Sequence, residues 1–270
     1  MINQELVKML DSYSQEELND YLDSHQVSED IIRRYADKVD WGLVCYSQEL
    51  SEDFIKEFAD RVDWFNIIWK QKLSESFIRE FADKMDWMLL TYRHKLSESF
   101  IREFAHKVDW YIASTCQTLS ESLIREFRNK VDWRKISGNQ RLSEPFIREF
   151  RNKVDWYWIS RRQRLSESFI REFKDMVNWV CVSGCQALYE DFIREFQDRV
   201  DWGWISRRQR LSEDFIREFR DKVDWEGIIK MQHISKSLIE EVIVNKLDRE
   251  LLLLEMETLD DLNKLLYPTK

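Results

Sequence analysis

Nine tryptophans, Trp41, Trp64, Trp87, Trp110, Trp133, Trp156, Trp179, Trp202 and Trp225, stand 23 residues apart with no insertion or deletion between them. A fixed period of this size marks a repeat architecture, in which each unit is one supersecondary element that buries its apolar face only against its neighbours. That constraint overrides the one or two compact domains that 270 residues would otherwise suggest, in favour of a single elongated array. Around each tryptophan the stretch LSESFIREFADKMDW, Leu73 to Trp87, returns with small edits.

The unit from Leu50 to Lys72, LSEDFIKEFADRVDWFNIIWKQK, reads as two short helices. Ser51 is an N-cap, and Glu52 and Asp53 follow it in the first turn, where the helix dipole favours negative charge. Phe54, Ile55, Phe58 and Val62 recur at helical spacing and make the apolar stripe of helix A. Leu50 and Ile55 are placed as a hydrophobic staple across that cap, and Val62 and Ile67 as a second one. Pro145 lies two residues after Ser143, in a first turn where a missing N–H does no harm. Asp63 caps helix B, whose Trp64, Ile67 and Gln71 share a face; the glutamine needs a partner, and a backbone carbonyl suits it. His94 takes the glutamine position in its own unit and is read as a member of the same structural polar row.

Seven Glu-first pairs four residues apart, Glu57–Arg61, Glu80–Lys84, Glu103–Lys107, Glu126–Lys130, Glu149–Lys153, Glu195–Arg199 and Glu218–Lys222, are expected to lace the exposed side of helix A. The aromatic core decides the fold, since truncating a Phe or Trp there costs roughly 3 to 5 kcal/mol. The expected fold is therefore all-α: an α-solenoid of nine 23-residue helix-turn-helix repeats with helical caps. At about 8 to 10 Å per helix layer, nine units would extend on the order of 80 Å. A leucine-rich repeat needs a strand-like LxxLxL run that is missing, and a tryptophan–aspartate propeller needs about 40 residues per blade.

Residues 1–26 and 235–270 break the pattern as capping elements do, leaving 27–234 as the array. At the front, Leu6, Val7 and Leu10 suggest one helix, and Ser14 with Glu17 forms a capping box that opens a second through Leu18 and Leu22. At the back, Ser235 opens a last helix A with Leu238, Ile239 and Val242; Asp248, Leu251 to Leu254, Leu259, Leu262, Leu265 and Leu266 then continue a leucine-rich tail. That tail either seals the core of a monomer or joins two chains.

Hydrophobic residues make up 43% of the chain and aromatic ones 14%, too much for a disordered chain. No apolar run reaches about 18 residues, and MINQELVKMLDS lacks the basic-then-apolar layout of a secretion signal, so a cytoplasmic protein without a membrane partner is expected. Cys45, Cys116, Cys181 and Cys185 fall at scattered points of different units and read as free thiols, with neither His nor a second Cys pair placed to complete a zinc site.

Nothing supports catalysis, a metal or a cofactor. The recurring Ser and Asp are caps, four scattered His make no triad, and five Gly make no phosphate loop. A residue repeated nine times is a poor catalytic candidate, because chemistry needs one site. A function is instead sought in the positions that vary, namely the first, second, fifth, sixth and eighth after each Trp. The first, fifth and eighth are expected on one face, as in Tyr157, Arg161 and Arg164, with Trp158 and Arg162 alongside. WISRRQRLSE occurs twice, from Trp158 and from Trp204.

The eight residues after each Trp together carry +12, whereas the whole chain carries −9, which leaves −21 for the rest. Arg134, Lys135, Arg141, Arg161, Arg162, Arg164, Arg207, Arg208 and Arg210 are the richest part of that basic face. Arginine among aromatics suits a protein partner with an acidic surface, or alternatively a nucleic-acid strand, through pairing and stacking. The same charge also fits a solvated face that balances the acidic first turns of neighbouring helices.

The consensus LSE-x-FIREF-x-x-KVDW-x-x-IS-x-x-Q, from about Val27 to Ile234, resembles tandem repeats in proteins of large DNA viruses that infect amoebae. The resemblance implies a viral interaction scaffold, acting in the host cytoplasm or packaged in the particle, and transfers no catalytic or ligand residue. Tyr189 for the cap Ser, Asn178 for the cap Asp and Met176 in the Glu–Lys pair depart from the consensus and are expected to cost local stability only.

Overall fold

The short polar signals at each helix start set the architecture. In the computed structural model, which describes residues 4–238 and 241, there are twenty complete helices and no strand among those residues. Helix A has six residues, as in Glu52–Glu57, and helix B has seven, as in Trp64–Lys70. Such lengths are marginal in isolation, so caps and packing hold them. Ser51 Oγ accepts from the Phe54 N–H at 3.2 Å and Asp63 from the Asn66 N–H at 3.0 Å, and the same caps recur down the chain. Tyr189 sits at a cap position without a side-chain cap bond, whereas Asn178 caps fully, accepting from the Cys181 N–H at 2.9 Å.

Contacts divide the chain into two compact parts, Met1–Asp132 and Trp133–Lys270. Each is an α-solenoid in which successive B helices pack directly on one another, Trp41–Ser47 on Trp64–Lys70 and Trp156–Arg162 on Trp179–Cys185 among them. Helix A supplies the core: Phe54, Phe77 and Phe100 in the first part and Phe146, Phe169, Phe192 and Phe215 in the second are wholly buried, each beside a buried Ile.

The tryptophans do something other than close their own unit. The Trp64 indole N–H donates to the Ala59 carbonyl five residues back at 3.2 Å, which braces its own turn. Its ring face then lies against the next repeat, 5.1 Å from Phe81 and 6.2 Å from Phe77 between centroids. Trp156 repeats the arrangement on Phe173 and Phe169, at 5.0 and 6.2 Å. The marker residue of the repeat is therefore the seal between repeats.

Three polar rows run along the same seams. Gln71 Nε2 donates to the Cys45 and Gln48 carbonyls of the preceding repeat at 3.2 and 2.8 Å, while its Oε1 accepts from the Leu50 N–H at 3.1 Å. Gln163, Gln186 and Gln209 do the same in the second part. His94 keeps one of these bonds, Nε2 to the Ile68 carbonyl at 2.9 Å, and burial lowers its pKa. Ser160 Oγ donates to the Trp156 carbonyl and accepts from the Asn178 N–H of the next repeat at 2.9 Å. The first-turn Glu52 accepts from the N–H and hydroxyl of the next cap, Ser74.

The acidic and basic side chains of helix A correct the expected pairing. Helix A ends at the glutamate, so the basic residue four positions on lies in the turn beyond it. Glu57, Glu80, Glu103, Glu126, Glu195 and Glu218 instead take Arg33, Lys56, Arg79, Arg102, Arg171 and Arg194 of the repeat before. Arg61, Lys84, Lys107, Arg199 and Lys222 reach back to Asp37, Asp60, Asp83, Asp175 and Asp198. Their hydrogen bonds hold the Asp60 and Asp83 carboxyls below the usual carboxylate range.

At the front, helices Gln4–Asp11 and Gln15–Ser24 follow the expected order, and the Ser14–Glu17 capping box is formed. The second helix stands in for a helix B: Gln48 Nε2 donates to its Leu22 carbonyl and to the His25 carbonyl. At the back, Ser235 accepts from the Leu238 N–H at 3.3 Å, opening the last helix A, and Leu238 is buried. Ile239, Val242, Asp248 and the leucine-rich tail from Leu251 lie outside the described residues. All four cysteines are free, and burial pushes the Cys45 thiol up to about 12. Among the described residues no helix is long and apolar enough to cross a membrane.

Candidate functional site

Helix B buries its third and fourth residues after the Trp, such as Ile159 and Ser160, and turns its first, fifth and sixth outward. The eighth does not share that face. Helix B ends at the sixth position and the glutamine at the seventh is its C-cap, so Arg141, Arg164 and Arg210 stand on the extended stretch that follows. The expected grouping of Arg164 with Tyr157 and Arg161 fails because the helical period stops before it.

Two tryptophans at the second position interlock with glycines one repeat back. The Trp158 ring lies over Gly138, where an added Cβ would meet it at 3.2 Å, and the Trp204 ring over Gly184, at 3.0 Å. Glycine suits these two positions, since the aromatic plane would have to shift by a few tenths of an ångström to admit a Cβ. Arg162 lies over the Trp158 ring and Arg208 over the Trp204 ring, each at 5.8 Å. Arg161 lies over Tyr157 and donates to its hydroxyl at 2.7 Å.

The two copies of WISRR, identical in sequence, differ in what their first arginine meets. Arg207 pairs with Asp224, the cap of the next helix B, at 2.5 Å, and stands 3.9 Å from Glu226. The residue at the same spacing from Arg161 is Asn178, which caps its helix equally well and brings no charge. Asn178 was expected to cost only local stability. It keeps its cap, but it brings no carboxylate of the kind that Arg207 has, and Arg161 donates instead to Tyr157, where the other copy has Gly203.

Tyr157, Arg161, Trp204 and Arg208 come together around one cavity of about 450 Å³, spanning three successive B helices. Its floor is Val180, Cys181, Gly184 and Cys185 of the middle helix, with Asn178 at its start. No acidic side chain lines it. The caps on either side, Asp155 and Asp201, are committed to backbone N–H groups of their own helices. The middle helix offers a low floor because its second, fifth and sixth positions carry Cys181, Gly184 and Cys185 where both neighbours carry Trp, Arg and Arg.

The other expected binding residues are dispersed. Arg134 is 73% exposed, 3.9 Å from Asp155. Lys135 is half-buried, while Arg141, Arg162 and Arg164 are exposed away from the cavity. Arg210 joins Arg208 on a wider groove of about 1240 Å³ along the loops between helices B and A, where Glu167, Glu190 and Asp191 neutralise the basic charge.

Sequence reasoning passed over two sets of residues. One is the floor and Asn178, whose signal was the change from Asp to Asn beside an unchanged WISRR. The other is an outward row in the first part, Tyr46, Phe65, Met88, Tyr92 and Tyr111, each more than half exposed at a first or fifth position. The signal for that row is a large apolar side chain at the first or fifth place after Trp41, Trp64, Trp87 and Trp110.

No family model matches the chain, and neither the curated proteins nor the solved structures yield a match.

Proposed function

We propose that this protein is a non-enzymatic repeat scaffold that binds an acidic protein surface through the outward B-helix face of residues 133–238. The observation that carries the reading is the cavity on which Arg161 and Arg208 converge between aromatic walls with no carboxylate in its lining. Arginine with aromatic neighbours is the side-chain set enriched where protein interfaces concentrate their binding energy. Hydrogen bonds to charged groups contribute about 1.5 to 3 kcal/mol each, so two arginines give tenfold effects or more.

A nucleic-acid strand is the second reading, favoured by the same arginines beside exposed rings. The two separate in a titration of an aspartate-rich peptide and of single-stranded and duplex oligonucleotides over increasing salt. Tight peptide binding with little oligonucleotide binding supports the protein-partner reading; a steep log–log salt slope with the oligonucleotide supports the other. Exchange of Arg161 and Arg208 for Glu abolishes the interaction under either reading, and unchanged binding refutes the face. The resemblance to viral tandem repeats adds a setting to the proposal, the host cytoplasm or the virus particle.

A further inference from the structure

Resting on the acidic-partner reading, we infer that the cavity takes one carboxylate side chain of an extended acidic segment, and that Asn178 is the residue that makes it selective for a carboxylate. Three observations converge on this.

The first is the paired comparison that the chain itself provides. Arg207 and Arg161 sit in the same helix position, in the same five-residue sequence, with the same buried Ile and Ser beside them. Arg207 holds a carboxylate from the next helix start at 2.5 Å. Arg161 has an amide at that station and turns to the Tyr157 hydroxyl at 2.7 Å, where the Arg207 copy has Gly203 and no such acceptor. A carboxylate brought by a ligand restores to Arg161 the charge partner that Asp224 gives to Arg207.

The second is the depth of the place. The floor is low because Gly184 carries no side chain and the Trp204 ring has closed over it from the next repeat. A volume of about 450 Å³ lies in the lower part of the range of ligand pockets, about 300 to 1,000 Å³, and admits a few side chains of an extended chain. The third is charge complementarity. Arg161 enters from one repeat and Arg208 from two repeats on, so the lining offers an anion a guanidinium group from each, with Val180 left for an adjoining apolar side chain.

The floor also supplies its own reporter. Cys185 is exposed in the cavity, and Cys116 is exposed at the same helix position of the first part. A seated segment covers Cys185 and leaves Cys116 open.

The test uses the full chain, a peptide of alternating aspartate and leucine, and a single-stranded thymidine oligonucleotide. Asn178→Asp returns the position to the repeat consensus and so keeps the fold; Asn178→Ser keeps a cap without charge. The expected result is at least a fivefold loss of peptide affinity in N178D, affinity within twofold of the parent in N178S, and slower alkylation of Cys185, but not of Cys116, when peptide is bound. Unchanged affinity in N178D overturns the inference. If R161E/R208E still abolishes binding in that case, the broader partner reading stands without it. Equal losses in N178D and N178S overturn the charge argument, and protection of Cys185 by the oligonucleotide but not by the peptide overturns the choice of ligand.

Discussion

The outward B-helix faces of the two parts use the same register to different ends. In the first part the cations are already seated. Lys70 lies 3.8 Å above the Tyr46 ring, and Arg93 lies 4.5 Å above Trp69 while donating to the Trp69 carbonyl at 2.9 Å. Phe65, Trp69 and Tyr92 line up in near-parallel planes beside them. In the second part Arg161 and Arg208 lie over rings at a looser 5.8 Å and front a cavity. The difference teaches that basic charge on a repeat surface stays open to a ligand only where the adjoining repeat withholds a ring, carbonyl or carboxylate.

Beneath the faces the cores are alike, which the largest effect checks. Phe100→Ala and Phe169→Ala each remove a wholly buried ring and should each cost about 3 to 5 kcal/mol. Urea unfolding followed by circular dichroism measures both. A cost below about 1 kcal/mol in either would show that its part is not built on this core.

The glutamine row sharpens the comparison next. Gln163→Ala strands the Leu142 N–H and the Ser137 and Gln140 carbonyls and is expected to destabilise by about 2 to 3 kcal/mol. In the first part His94→Gln restores the full set of bonds and should stabilise by about 1 kcal/mol. Because burial holds the His94 pKa below its ordinary value, unfolding takes up a proton. The stability tied to neutral His94 is therefore full above about pH 6.5 and is lost as the pH falls from there through the lower folded value. Denaturation midpoints between neutral and mildly acid pH should fall less in His94→Gln than in the parent; identical falls would remove His94 from the account.

Smaller effects follow at the surface of the second part. Gly184→Ala drives a methyl against Trp204; overpacking of about 1 to 3 kcal/mol set against a helix-propensity gain of about 1 leaves a net loss near 1 kcal/mol. Tryptophan fluorescence should report the displaced ring, and an unchanged spectrum with unchanged stability would deny the interlock. Least of all, Glu195→Gln neutralises an exposed pair with Arg171 and should cost about 0 to 1 kcal/mol, vanishing in high salt. A loss of the same size persisting in concentrated salt would mean that the ion rows do more than the exposed geometry allows.

Much of this was legible in the sequence because each repeat is short and its signals are local. Ser51 and Asp63 announce the two helix starts, Phe54 and Ile55 announce the buried stripe, and the recurring Gln announces a polar row. The relations that were misjudged run between repeats. Glu57 and Arg61 look like partners along one helix, but the helix stops at Glu57 and both turn to the repeat before. Trp64 reads as one of the residues sharing a face of its own helix with Ile67 and Gln71, yet its ring faces Phe81 of the next repeat. Asn178 reads as a lapse in one cap until its place 17 residues after Arg161 is set beside Asp224 after Arg207.

The central claim, that an acidic ligand is held by the second face and not by the first, is most directly tested through the tryptophan indole N–H resonances. On titration with the aspartate–leucine peptide, the Trp204 signal should shift in a saturable way, lost in R161E/R208E, while the Trp69 signal stays in place. Saturable shifts at Trp69 with none at Trp204 would contradict the account.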